Sequence, residues 1–194
     1  PERVAPEQVG RDVLGVLLLA RWAGMAEGPG TQVPIDVAPL FESVATLENA
    51  GDILARLLAK PAYREHLAAL GNRQSVMIGY SDSNKSAGMV ASRWLVRKAE
   101  EAMLAACDAA GVELVVFHGR GGTINRGSSR TEALVRSMPP GATRGTLRIT
   151  VQGESINERY GLRPIALRSF EQTVSAVTLA AAGFHGPELV DTRW

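Results

Sequence analysis

The chain has 194 residues, a length that fits one domain, and 45% of them are hydrophobic, enough for a sizeable core. Twenty-one basic against 20 acidic residues leave a net charge of +1, which excludes a general field for nucleic acid or an anionic membrane; any basic site must be local. Cys107 is the only cysteine, which excludes an internal disulfide and thiolate-built metal sites and fits a reducing, cytoplasmic compartment. The apolar stretch VLGVLLLARWAG is too short for a membrane span and is broken by Arg21 and Trp22. No signal peptide precedes it, and the start at Pro1 fits a piece of a longer product.

In chain order, residues 7–25 read as a helix with one apolar face, followed by a GPGTQ loop, so that residues 1–30 form an N-terminal helix and loop. Residues 33–37 (VPIDV) read as the first strand. Residues 46–60 are helical, with Asp52 as an N-cap for the second half and Pro61 as the stop. A short helix over 62–71 closes on Gly71, and SVMIGY (75–80) is the second strand. Residues 86–110 give the clearest helix, with Leu95, Ala99, Ala102, Met103 and Ala106 at helical spacing and Gly111 behind them. ELVVF (113–117) is the third strand, residues 131–138 a helix, PPG (139–141) a turn and TLRITV (146–151) the fourth strand. A last helix over 164–182 lines up Leu167, Phe170, Val174, Val177 and Ala181; residues 184–194 read as a loose tail. Strands alternating with helices predict a parallel sheet over 31–183, an α/β fold.

In such folds ligands bind beyond the carboxyl ends of the strands. Every predicted strand here ends in polar, chemically capable residues: Glu42 after the first, Asp82 and Lys85 after the second, His118, Arg120 and Arg126 after the third, Gln152 and Glu154 after the fourth. Arginine forks set among glycines suit a small oxyanion, because glycine lets backbone N–H groups come close and arginine matches phosphate or carboxylate. Glu42 and Asp82, carboxylates from adjacent strands, suit a hard, oxygen-liking cation such as Mg²⁺ or Mn²⁺, though Asp82 reads equally as a helix N-cap. Lys85, at a helix start, opposes the helix dipole and points to an anion. His118 reads either as a hydrogen-bonded structural histidine or as a catalytic group, and Glu154 as a surface or capping residue. No GxxxxGK[ST] occurs, and Ile124 occupies the last position that a GxGxxG would need.

The segments MIGYSDSNKSAG, FHGRGGTINRG, VPIDVAPLFES, GTLRITVQGESI and SMPPGA, in matching order over residues 33 to 182, resemble the phosphoenolpyruvate carboxylase family. That resemblance implies a β/α barrel, and four β/α units make about half of a TIM-like (β/α)8 barrel, here with extra helices. It implies Mg²⁺- or Mn²⁺-dependent carboxylation of phosphoenolpyruvate with bicarbonate, giving oxaloacetate and phosphate, the carbon dioxide fixation that feeds the tricarboxylic acid cycle.

The resemblance also implies roles for single residues. Glu42 and Asp82 would be the metal ligands. Arg120 and Arg126, with Gly121, Gly122 and Gln152, would hold the phosphate or carboxyphosphate. Lys85 would help to position bicarbonate, with His118 in support. Ser86, Asn125 and the GSSR after Arg126 depart from the family's motifs. The family's general acid/base histidine lies upstream of the segment matched here, so the chain alone is expected to lack it. Two further readings stay open: a non-catalytic module that binds a phospho-ligand, and a phosphoenolpyruvate- or pyruvate-using barrel lyase. Half a barrel leaves open sheet edges, and the chain is expected to form a homo-oligomer that covers them.

Overall fold

The computed structural model of the protein describes residues 6–26, 33–119, 131–150 and 153–184. Its frame is a four-stranded, all-parallel sheet in the order β1-β2-β3-β4. Each strand joins the edge left by the one before it, the progression by which a β/α barrel closes. β1 is Leu40–Phe41, β2 Arg73–Gly79, β3 Glu113–Gly119 and β4 Arg148–Ile149. The helices are α1 (Pro6–Trp22), α2 (Val44–Glu48), α3 (Ala50–Leu58), α4 (Pro61–Ala69), α5 (Ser81–Ala87), α6 (Met89–Ala109), α7 (Thr131–Ser137), α8 (Glu154–Tyr160) and α9 (Arg163–Ala181). The fold is thus the expected α/β class. No helix among the described residues is long and apolar enough to cross a membrane.

β2 and β3 pair along their whole length, from Arg73 with Glu113 to Gly79 with Gly119. Side chains alternate between the two faces of a strand. Val76 and Ile78, with Leu114 and Val116, turn to the helix side and join Phe41, Leu54, Leu57, Tyr63 and Met103 in one buried core. Ser75, Met77 and Gly79, with Val115, Phe117 and Gly119, turn to the opposite, inner face. Arg148 pairs in register with Phe117 and lies over its ring at 5.4 Å.

The first strand begins later than the sequence pattern predicts. Residues 33–37 form no ladder; the Ile35 N–H bonds back to the Val33 carbonyl at 2.9 Å, a tight three-residue turn. Pro34 and Pro39 offer no N–H to a ladder. Pairing starts where the Pro39 carbonyl accepts the Met77 N–H at 2.9 Å. Asp36 instead accepts the Ser75 hydroxyl at 2.6 Å.

Two long helical patterns are each split by a cap. The 46–60 pattern breaks at Asn49, and α2 starts on Ser43, whose hydroxyl accepts the Thr46 N–H at 3.2 Å. Asp52 is not a cap but lies in the first turn of α3, where its charge favours the helix dipole. Pro61 stops α3 and also opens α4, the first-turn position that proline tolerates best. Gly88, at φ 81°, separates α5 from α6, so the helix expected from residue 86 starts at Met89.

The last helix is where the predicted apolar face departs most from the structure. Only Ala176 and Ala180 of α9 are buried, against Val135, with Val177 packed beside them. Leu167, Phe170 and Val174 are 58%, 57% and 63% exposed. The period of the pattern was right for a helix, but the stripe has little cover among the described residues: Val177 joins the small cluster and Phe170 meets the Tyr160 ring at 5.2 Å. Most of the tail, residues 185–194, lies outside the described residues.

Candidate active site

β1 ends in buried Phe41, and the next residue, Glu42, leaves the sheet at its carboxyl edge. Its Oε1 accepts the backbone N–H groups of Ser81 at 3.1 Å and Asp82 at 3.2 Å. The N-cap position of α5, Tyr80, makes no side-chain cap bond. A carboxylate from the neighbouring strand therefore satisfies the first N–H groups of α5, a task that falls to a local Ser, Thr, Asp or Asn in most helices. Gly79 makes this approach possible. A Cβ on it would lie 2.6 Å from Cγ and Cδ of Glu42, so any other residue would push the carboxylate away.

Asp82 sits in the first turn of α5, beside the group that Glu42 caps. Its side chain is 59% exposed and its Oδ1 meets the Lys85 ammonium at 3.3 Å. Lys85 lies in the last turn of this short helix, not at a helix start. Its charge therefore suits the dipole, and the sequence argument for an anion beside it fails because Gly88 ends the helix early. Glu42 and Asp82 share a cleft of about 380 Å³ between α1 and the end of β1, lined also by Asp12, Val13, Val16 and Thr46. Asp12 is a third carboxylate there that the sequence pattern did not single out; its Oδ1 accepts a bond from Gln8 at 2.7 Å. Among the described residues no three metal-ligating side chains cluster closely enough to enclose an ion. A two-carboxylate edge fits Mg²⁺ or Mn²⁺, ions that keep several waters when bound by one or two carboxylates.

His118 is not on this inner face. Its ring points to the helix side, fully buried, with Nδ1 2.8 Å from the Tyr80 hydroxyl and 3.7 Å from Glu100 Oε1 of α6. Its carbonyl accepts the Thr150 N–H at 3.0 Å, tying β3 to the end of β4. Glu100 is 2% exposed. Burial pushes its carboxyl up from 4.5 to about 8, with Arg97 pulling it down and Glu101 pushing it up. Sequence reading passed over Glu100, although it lies four residues after Val96 and three before Met103, on the face that α6 buries. Cys107 on the same face is inert: burial foremost pushes its thiol up to about 12.

Arg120, Gly121, Gly122, Arg126 and Gln152 lie outside the described residues, and so does the side chain of Glu154. The structure thus brings together Glu42, Asp82 and Lys85, and sets His118 behind them.

The family model for phosphoenolpyruvate carboxylase matches residues 6–194. The phosphoenolpyruvate carboxylase of Xanthomonas oryzae pv. oryzae is 47% identical over 183 residues, covering 94% of this chain and 20% of that relative. That of Xanthomonas euvesicatoria pv. vesicatoria is 46% identical over the same coverage. Phosphoenolpyruvate carboxylase 2 of Chlamydomonas reinhardtii is 45% identical over 180 residues, 87% of this chain and 15% of the relative. The chain spans 20% or less of the length of these relatives, and within that span it belongs to the phosphoenolpyruvate carboxylase family.

Proposed function

We propose that this segment supplies the cation- and phosphate-holding strand ends of an enzyme that carboxylates phosphoenolpyruvate with bicarbonate, releasing oxaloacetate and phosphate. The observation that carries the reading is the seat of Glu42: its carboxylate crosses Gly79 to the Ser81 and Asp82 N–H groups, so two carboxylates from neighbouring strand ends open into one cleft. Glu42 and Asp82 would hold Mg²⁺ or Mn²⁺, which supplies Lewis-acid stabilisation of charge developing on a substrate oxygen.

The rest is work for side chains. Glu42 Oε1 is already fixed by two N–H donors, so it would meet its ligand with little reorganisation. Lys85, which meets Asp82 Oδ1 at 3.3 Å, stands beside the carboxylate pair, where its ammonium would meet bicarbonate. Arg120 and Arg126 would clamp the phosphoryl oxygens, with the N–H groups of Gly121 and Gly122 and the Gln152 amide completing the anion seat. Preorganised donors of this kind contribute roughly 3–4 kcal/mol each to lowering a barrier.

The test is a thermal-shift titration with Mn²⁺, then with phosphoenolpyruvate added, on the chain and on Asp82→Asn. Ligand at a hundredfold excess over Kd stabilises the folded state by about 2.7 kcal/mol. The reading expects a Mn²⁺ shift in the parent chain that Asp82→Asn loses. An equal shift in both proteins would place the ion elsewhere and overturn it.

A further inference from the structure

We propose that Arg148 is a further binding residue of the strand-end site, taking the carboxylate of a small anionic substrate. The inference rests on reading the strand ends as the site, and it names the part of the substrate that meets β4.

The placement comes from the sheet register. Leu40, Met77, Phe117 and Arg148 lie in one row across all four strands. Paired residues of a ladder turn to the same face, and so do residues two apart on a strand. The row therefore shares its face with Gly79 and Gly119. The packing agrees: a Cβ on Gly119 would lie 2.6 Å from the Met77 methyl, and one on Gly79 2.6 Å from Cγ and Cδ of Glu42. Glu42 and Arg148 thus stand on one face, the carboxylate beyond the end of β1 and the guanidinium on β4. Met77 and Phe117, both half-buried, lie between them. The Arg148 guanidinium lies over the Phe117 ring at 5.4 Å, a cation–π contact. Its neighbour among the described residues is this ring and not a carboxylate.

Inner rows of a β/α barrel are dominated by branched apolar side chains. An exposed guanidinium in such a row adds nothing to packing, but it suits a ligand. Arg148 stands two residues, about 7 Å, below the level of Gly119, the last residue of β3. At that upper level β3 carries no side chain, so the way down from the strand ends stays open beside it. A molecule entering there meets an apolar floor of Met77 and Phe117, with the carboxylate pair on one side and one cation on the other. The chemistry that fits is short. An oxygen would turn to a cation at Glu42 and Asp82, a small carbon skeleton would lie over the floor, and a carboxylate would face Arg148. A guanidinium matches a carboxylate with two parallel N–H···O bonds, and lying on a ring leaves its N–H edge free to make them. With the phosphoryl group at Arg120 and Arg126, the two anionic ends of the substrate would be read by different arginines.

The test needs no metal. The side-chain Nε–Hε signal of Arg148, identified by its loss in Arg148→Gln, is followed by NMR in the 194-residue chain. Phosphoenolpyruvate is the probe and inorganic phosphate the control. Phosphoenolpyruvate is expected to move the signal and phosphate to leave it in place. Arg148→Gln is expected to raise the Kd for phosphoenolpyruvate about tenfold, with phosphate binding and the Mn²⁺ shift unchanged. A signal that phosphoenolpyruvate leaves in place, or that phosphate moves as far, overturns the proposal even if the variant fails to fold. A variant that binds phosphoenolpyruvate as tightly as the parent chain overturns it as well. The two readings fail separately: an unmoved Arg148 signal beside a Mn²⁺ shift that Asp82→Asn loses defeats this assignment alone. An Arg148 signal that moves while the Mn²⁺ shift persists in Asp82→Asn supports it and defeats the cation site alone.

Discussion

Helices α6 and α9 carry apolar stripes over similar lengths, 21 and 19 residues, yet one stripe is buried and the other faces outward. The difference lies in what stands opposite. α6 lies beside two paired strands of seven residues each, β2 and β3, and Val96, Ala99, Met103 and Cys107 enter a continuous core with Val76, Ile78 and Leu114. α9 packs on two short helices, α7 and α8, and buries two alanines against Val135 of α7. Amphipathic spacing shows that a helix has a face to cover; it does not show whether the cover is present. The carboxylates of the candidate site stand on the firmly packed side.

The largest effect is expected from emptying the α6-side core. Leu54→Ala, at a position with no exposure, is expected to cost about 2–5 kcal/mol, read from a urea unfolding curve. Val135→Ala, in the small cluster under α9, removes fewer carbons from a smaller cluster and is expected to cost less. Equal costs would mean that α9 is as firmly packed as α6, and the contrast would fail.

Glu100 sharpens the same contrast, because only the packed side is dry enough to keep a carboxyl neutral. Its folded-state value, about 8, lies above the 4.5 of an ordinary carboxyl, so the folded chain keeps a proton that the unfolded chain gives up between those values. Its contribution is fully present below about pH 4.5 and is lost as pH rises to about 8, at about 1.4 kcal/mol per pH unit. Glu100→Gln has no such proton to lose. The variant is expected to be the more stable protein at pH 7, by roughly 3 kcal/mol at most, and to show a flatter pH profile. A parent and variant with parallel profiles would show that Glu100 is solvated.

Gly79→Ala acts at the seat of Glu42. The added Cβ would meet side-chain carbons of Glu42 at 2.6 Å, and side chains can move where backbone cannot. An overpacking cost of about 1–3 kcal/mol is expected, together with loss of the Ser81 and Asp82 bonds to Glu42. Hydrogen exchange at those two amides reads the second effect directly: faster exchange is expected, and unchanged exchange would show that Glu42 is not held as described.

How much of this was legible in the sequence follows the same divide. The parallel α/β class and the pairing of Glu42 with the second strand's exit were readable because apolar runs alternate with helical spacing and each run ends in a polar residue. The 33–37 strand was misplaced because residue type resembles a strand there while Pro34 and Pro39 deny it a ladder. Lys85 was misread because the helix was drawn through Gly88, and a dipole argument depends on where a helix ends. Glu100 was missed because a carboxylate in a KAEEAM stretch reads as surface, although its spacing from Val96 and Met103 placed it on the apolar face. The first and last of these errors come from weighing residue type above position.

The smallest effect on stability is expected on the uncovered stripe, and it decides what that stripe is for. Val174 is 63% exposed, so Val174→Ser, if nothing covers the site, is expected to change unfolding free energy by no more than about 0.5 kcal/mol. Leu167, Phe170 and Val174 are exposed within one arc of the helix, and apolar surface of this kind marks an interaction face. A second copy of the chain is the proposed cover. Sedimentation velocity at micromolar concentration is expected to show self-association that Val174→Ser weakens. A parent chain that sediments as a monomer would break this account, because the stripe would then stay open to water and the contrast between α6 and α9 would be one of exposure alone.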